Sequence, residues 1–137
     1  MKYYAVLDTN VIVSAMLKNS SVPGQVAAEA LKGDIIPVLN DEIIAEYEDV
    51  LKRPKFRFDA KTVKVFLEEL KKRAVYTGYG MIEDEIPDPK DFVFYAVLME
   101  KRNETDACLV TGNMKHFPLR AYIVTPREML DIIQEGR

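Results

Sequence analysis

One cysteine, one histidine and no tryptophan occur in this chain of 137 residues. Cys108 lies in an apolar run without a partner, so no disulfide forms within the chain, and a reducing cytoplasm is the economical expectation. Long hydrophobic runs are missing too, none approaching the roughly 20 residues that span a bilayer. The N-terminal stretch reaches Asp8 before a signal-peptide core takes shape. A basic excess is also lacking: the net charge of -3 speaks against a generic polyanion binder, leaving only local patches to neutralise phosphates. No Pro/Gly/Ser-rich stretch, internal repeat or glycine-rich phosphate loop interrupts the sequence. What remains is 48% hydrophobic, enough for a single domain over residues 1–137 with a core that needs no staples.

The pattern along the chain alternates. Residues 3–7 read as a strand covered on both faces and lead to a helix at about 11–17. A second helix over about 23–32 is stopped by Gly33, and "IIPVL" follows as a strand. Asp41 opens the helix "DEIIAEYEDVLKR", Asp59 opens "DAKTVKVFLEELKKR", and "AVYTG" is a short strand candidate. After the polar loop "YGMIEDEIPDP" comes a helix from about Pro89 to Arg102, with proline at its first position. "ACLVTGN" and "AYIV" read as strands, and "TPREMLDIIQEG" as a last helix with Thr125 as its cap. Such alternation predicts an α/β fold, a three-layer α/β/α arrangement around a mostly parallel sheet of four to five strands.

The polar groups at the strand ends need an explanation. Asp8, Thr9 and Asn10 close the first apolar run, and the simplest role for Asp8 or Asn10 is to cap the helix that follows. In open parallel sheets, however, ligands sit outside the carboxyl ends of the strands, where both "LDTN" and "VTGN" fall. A hard divalent cation there needs several oxygen ligands, and acids held close together repel unless a cation neutralises them. On the helix opened by Asp41, Glu46 and Glu48 lie about equally far outside opposite edges of the apolar stripe Ile43, Ile44, Tyr47, Val50 and Leu51. Periodicity does not choose between them. Asp88, before Pro89, is a natural helix cap, and Asp91 is the third helical residue, favoured by the helix dipole. Yet Asp91 opens the apolar helix "FVFYAVLM", whose burial would carry a carboxylate toward the sheet edge.

Four segments in order, "LDTNVIVSAML", "EIIAEYEDVL", "DPKDFVFYAVLME" and "TDACLVTGNMKHFP", resemble the PIN-domain ribonucleases, in particular the VapC-like toxins of toxin–antitoxin pairs. The resemblance runs from Tyr3 to about Met129. It matches the first acid of that family to Asp8, the helix acid to Glu46 and the third to Asp91, so Glu46 is preferred to Glu48 on the resemblance alone. The fourth catalytic position, usually an aspartate, falls on Asn113, and an acid often seen two residues later falls on Lys115. It implies hydrolysis of phosphodiester bonds in single-stranded RNA. Asp8, Glu46 and Asp91 would hold Mg²⁺ or Mn²⁺, with Thr9, Asn10 and Thr111 orienting them. A cognate antitoxin, a homodimer and a cytoplasmic setting are implied with it.

Asn113 offers an amide oxygen without charge, which predicts weaker binding of a second ion, slower turnover, or recruitment of Asp88 or Asp106. Asp106 also suits a turn before its strand, and His116, the lone histidine, is left outside the mechanism. The stretch "LKRPKFRF" interleaves Lys52, Arg53, Lys55 and Arg57 with Phe56 and Phe58, a composition suited to single-stranded nucleic acid or to a solvated loop whose phenylalanines return to the core. Two other classes stay open: a PIN-like module inactivated at Asn113 that binds RNA or a protein, and a phosphatase with Asp8 as nucleophile. Against the second, "LDTNV" lacks a second aspartate two residues on.

Overall fold

Strand β1 (Tyr3–Leu7) is the centre of the molecule, its last three residues buried, as expected of a run with helices on both sides. In the computed structural model, which describes residues 2–137, five strands form one sheet in the order β3-β2-β1-β4-β5, every pair parallel. The others are β2 (Ile35–Leu39), β3 (Val75–Tyr76), β4 (Cys108–Val110) and β5 (Ile123–Val124). Six helices join or follow them: α1 (Thr9–Leu17), α2 (Val22–Lys32), α3 (Asp41–Leu51), α4 (Ala60–Arg73), α5 (Pro89–Arg102) and α6 (Pro126–Glu135). The expected α/β class holds, with a sheet that is wholly rather than mostly parallel.

The strand order carries a functional consequence. From β1 the chain winds outward through β2 to β3, then returns across the sheet to place β4 on the other side of β1. The direction of winding therefore reverses between β1 and β4, and crevices for ligands open at such a switch point, outside the carboxyl ends of the strands. Leu7 pairs with Val110 at that edge, and the amide of Asp8 extends the ladder by donating to the Val110 carbonyl at 2.9 Å. Asp8 and Thr111 are the residues that leave the two strands there.

Local chemistry sets the element boundaries. Helix α1 starts at Thr9 rather than near Val11, because the Asp8 carboxylate accepts from the Thr9 amide at 2.8 Å. Gly33 closes α2 with φ of 101°, a left-handed conformation that favours glycine. Helix α3 begins at Asp41, but its cap is Asn40, which accepts from the Ile43 amide at 2.9 Å. Asp88 and Thr125 cap α5 and α6 as read, the latter in a reciprocal capping box with Glu128. Pro37 sits inside β2 without cost to the ladder, because β3 starts only at Val75, opposite Val38.

Helix α5 buries Phe94, Tyr95, Ala96, Val97 and Leu98 against the sheet. The long loop before it is fastened rather than loose. The Gly80 amide donates to the Ala96 carbonyl at 2.8 Å, and a Cβ on Gly80 would meet the backbone of Glu100 at 2.5 Å. Asp84 accepts from the Tyr95 hydroxyl at 2.6 Å and pairs with Arg120. These ties fix where α5 begins, and so where Asp91 stands.

Candidate active site

Asp8 is almost wholly buried at the end of β1, yet its carboxylate is well supplied with donors. One oxygen accepts from the Thr9 amide; the other accepts from the Thr111 hydroxyl at 2.8 Å and the Asn10 amide at 3.0 Å. Asn10 also reaches back to the Gly112 amide through its own carbonyl oxygen at 2.9 Å, which ties the two strand ends together. The capping role and the site role thus fall on different oxygens of one carboxylate. Burial raises the Asp8 pKa, and the bonds from Thr111 and the Thr9 amide offset part of that rise.

Asp91 differs in having lost its donors. It is 9% exposed in the first turn of α5, and its Oδ2 is buried with no hydrogen-bond partner. Helix capping does not account for that oxygen, since Asp88 already serves the first turn. Burial, reinforced by the charges of Asp8 and Asp88 and opposed by His116, pushes the Asp91 carboxyl up to about 6. Two acids on segments far apart in sequence therefore repel one another near the end of β1. A group held at this disadvantage is a marker of a functional site when it sits in a cleft.

Glu46 and Glu48 part company here. Glu46 lines a cavity of about 270 Å³ with Glu42, Pro89, Lys90, Val93 and Phe94, between α3 and the first turns of α5. Glu48 instead lines a groove against α4, with Lys52, Val63 and Lys64 among its neighbours. Of the two, Glu46 is thus the one beside the Asp91 turn, together with Glu42. The adjacent Tyr47, buried completely, donates its hydroxyl to the Leu7 carbonyl and so pins α3 to the residue before Asp8. Sequence reasoning placed Tyr47 in the apolar stripe and did not foresee this second role.

Several expected roles change. Among the described residues no three acids, histidines or cysteines stand close enough to hold one ion, so Glu46 joins the cavity wall and not a closed three-carboxylate cluster. Thr9 serves Asp8 through its backbone amide, while its hydroxyl is buried without a partner. Asn113 is exposed, its side-chain amide donating to neither Asp8 nor Asp91 and its NH2 lying 3.0 Å from Nε2 of His116. His116, left out of the expected mechanism, brings Nδ1 to 3.2 Å from Asp91 Oδ2. The clue in the sequence was its position three residues after Asn113, one short turn (Met114–His116) away. Asp106 precedes β4 at its amino end, the opposite edge from Asp8, and does not supply the missing acid. In the basic stretch, Phe56 stacks on Phe58 at 5.4 Å, Lys55 covers Phe56, and Phe58 packs against the core. Those aromatic faces serve one another, so base stacking there is not supported.

The donor chemistry fits a hard divalent cation. Carboxylate oxygens are its preferred ligands, Asp91 Oδ2 makes no hydrogen bond although His116 Nδ1 stands 3.2 Å away, and a cation would relieve the repulsion between the two acids. Fold and site together define a parallel α/β domain with two buried acids at its switch point. The PIN domain family model matches residues 4–115, and the chain belongs to that family, whose members are generally metal-dependent nucleases. No significant match to a curated protein or to a solved structure was found.

Among the described residues no helix is long and apolar enough to cross a membrane.

Proposed function

We propose that this chain is an Mg²⁺- or Mn²⁺-dependent ribonuclease that hydrolyses phosphodiester bonds of single-stranded RNA, acting as the toxin of a toxin–antitoxin pair. The observation that carries the nuclease reading is the buried Asp8 and Asp91 pair at the switch point, one oxygen of which has no donor. A divalent ion supplies Lewis-acid polarisation of the phosphate and a lowered pKa for the attacking water. Asp8 and Asp91 would hold it, with Glu46 on the neighbouring cavity wall rather than on the ion. Thr111 and Asn10 keep one oxygen of Asp8 engaged, so that its remaining lone pairs point in a fixed direction. Lys90, in the same cavity as Glu46, is placed to neutralise a backbone phosphate of the bound strand. The antitoxin partner, the homodimer and the cytoplasmic setting rest on the resemblance of the four segments and on the single unpaired cysteine.

The test is incubation of purified protein with single-stranded RNA in Mg²⁺, Mn²⁺ or EDTA, beside Asp8→Asn. Cleavage by wild type alone, abolished by EDTA, is expected; equal degradation by wild type and variant would remove the ribonuclease reading. Size-exclusion chromatography with light scattering is expected to give twice the 15.7 kDa chain mass.

A second reading, a PIN-like module with little or no turnover, is favoured by Asn113, whose side chain lies against His116 in place of an acid. Asn113→Asp separates the two: restored cleavage places the loss at that position, while unchanged cleavage returns the question to the remaining acids. Ion binding is also expected to depend on pH. Protons compete for Asp91, so with its pKa at about 6 the apparent Mn²⁺ affinity falls about tenfold per unit below pH 6 and levels off above it. Isothermal titration between pH 5 and 8 reads the slope, and a flat profile would place the ion away from Asp91.

A further inference from the structure

The cavity between α3 and the first turns of α5 has two chemically different walls. Pro89, Val93 and the buried ring of Phe94 make one side apolar, while Glu42 and Glu46 place carboxylates on the other. Its volume of about 270 Å³ falls just under the roughly 300–1,000 Å³ of drug-sized sites, so it takes one flat heterocycle and not a longer group. The two helices are bridged beside it. The Gly80 amide fastens the loop ahead of α5 to the Ala96 carbonyl at 2.8 Å, and the neighbouring Tyr79 donates its hydroxyl to Oε1 of Glu42 on α3. Glu42 is thereby held at one oxygen, leaving Oε2 to accept from a ligand. The Lys90 ammonium in the same lining counts against a further metal ion there.

We propose that this cavity holds a nucleobase of the bound RNA next to the scissile phosphate and selects guanine, with Glu42 and Glu46 reading it and Tyr79 positioning Glu42. The inference rests on the ribonuclease reading above and names the base that such a site prefers. Pro89 and Lys90 immediately precede Asp91, so a strand whose phosphate lies at the two buried acids brings a base to the cavity. An ionised carboxylate only accepts. Guanine presents two donors side by side on its pairing edge, N1–H and the N2 amino group, which match two carboxylate oxygens. Adenine and cytosine bring one amino donor beside a ring nitrogen that itself accepts, and the single N3–H of uracil is flanked by two carbonyl oxygens. Each of these sets an acceptor against an acceptor, which costs the hydrogen bond and leaves a group unpaired. Unstacked bases of single-stranded RNA are recognised in this manner, by the pairing edge together with the flat face.

The experiment uses short labelled oligocytidines carrying G, A, C or U at the centre. Fluorescence anisotropy in EDTA reads their binding to wild type, Glu42→Gln, Glu46→Gln and Tyr79→Phe, and cleavage of the same strands is then followed in Mn²⁺. Glu42 and Tyr79 are exposed, so their replacement leaves the core untouched, and circular dichroism confirms that each variant is folded. Wild type is expected to bind the guanine strand about tenfold more tightly than the uracil strand. Glu42→Gln sets an amino donor where guanine needs an acceptor and lowers that ratio below about threefold, and Tyr79→Phe, which unties Glu42, lowers it by less. Equal binding of all four strands by wild type would overturn the inference, and EDTA-sensitive cleavage of those strands would still leave the ribonuclease reading standing. A guanine preference that survives in both Glu42→Gln and Glu46→Gln would overturn it equally, since the base is then read elsewhere. Guanine-selective binding that is lost in these variants, without cleavage in Mn²⁺, would sustain the base site and remove the ribonuclease reading.

Discussion

Asp91→Asn is expected to melt at a higher temperature than wild type in the absence of metal, and to lose Mn²⁺ binding and at least about 100-fold of its RNA cleavage. The reasoning follows the sign of the pKa shift. Asp91 titrates at about 6 in the folded chain against an ordinary value of 3.8, because burial and the charge of Asp8 disfavour its ionised form. The folded state therefore binds more protons than the unfolded state between these values, and stability falls as pH rises through that window. Near pH 7 the full cost is present. An amide of the same shape removes the charge, and after solvent screening at the pocket the gain is on the order of 1 kcal/mol, or about 3 °C. Differential scanning calorimetry at pH 7 with EDTA checks it. The variant's advantage should vanish by about pH 3, below both values, where wild-type Asp91 is protonated in both states. A lower melting temperature for the variant at pH 7 would mean that the carboxylate is structural, held by contacts stronger than the repulsion from Asp8.

Tyr47→Phe is expected to cost about 1–3 kcal/mol, because it strips the donor from a buried carbonyl while leaving the ring in place. The hydroxyl reaches the Leu7 carbonyl, one residue before Asp8, inside a wholly buried environment. Its loss unpins α3 from the end of β1, so cleavage should fall along with stability. Thermal unfolding reads the first effect and turnover the second. Unchanged stability would show that the carbonyl finds another donor, and that α3 holds its place by packing alone.

The parts of this arrangement that were legible in the sequence are those set by local chemistry. The run "YYAVLDTN" announced a covered strand ending on polar groups, and "DPKD" announced a helix start with a second acid inside its first turn. Both depend on spacing of a few residues. The choice between Glu46 and Glu48 was not legible in the periodicity, since each lies outside one edge of the same stripe, and rested on the resemblance alone; in the fold Glu46 faces α5 and Glu48 faces α4. Nor was the role of Asn113 legible, because it depends on a 3₁₀ turn that swings His116 back toward a helix more than twenty residues earlier in the chain. The hydroxyl of Tyr47 was hidden for the same reason, its partner lying forty residues away on another element. Sequence patterns report faces and caps. They do not report which faces meet.

The central claim is that Asp8 and Asp91 meet in order to share one divalent cation at the switch point between β1 and β4. Anomalous diffraction from crystals soaked in Mn²⁺ near pH 7 tests it most directly. The account predicts a peak about 2.1–2.3 Å from Asp91 Oδ2 and from an oxygen of Asp8. A well-occupied peak bound by other acids, with Asp8 and Asp91 left bare, would contradict it.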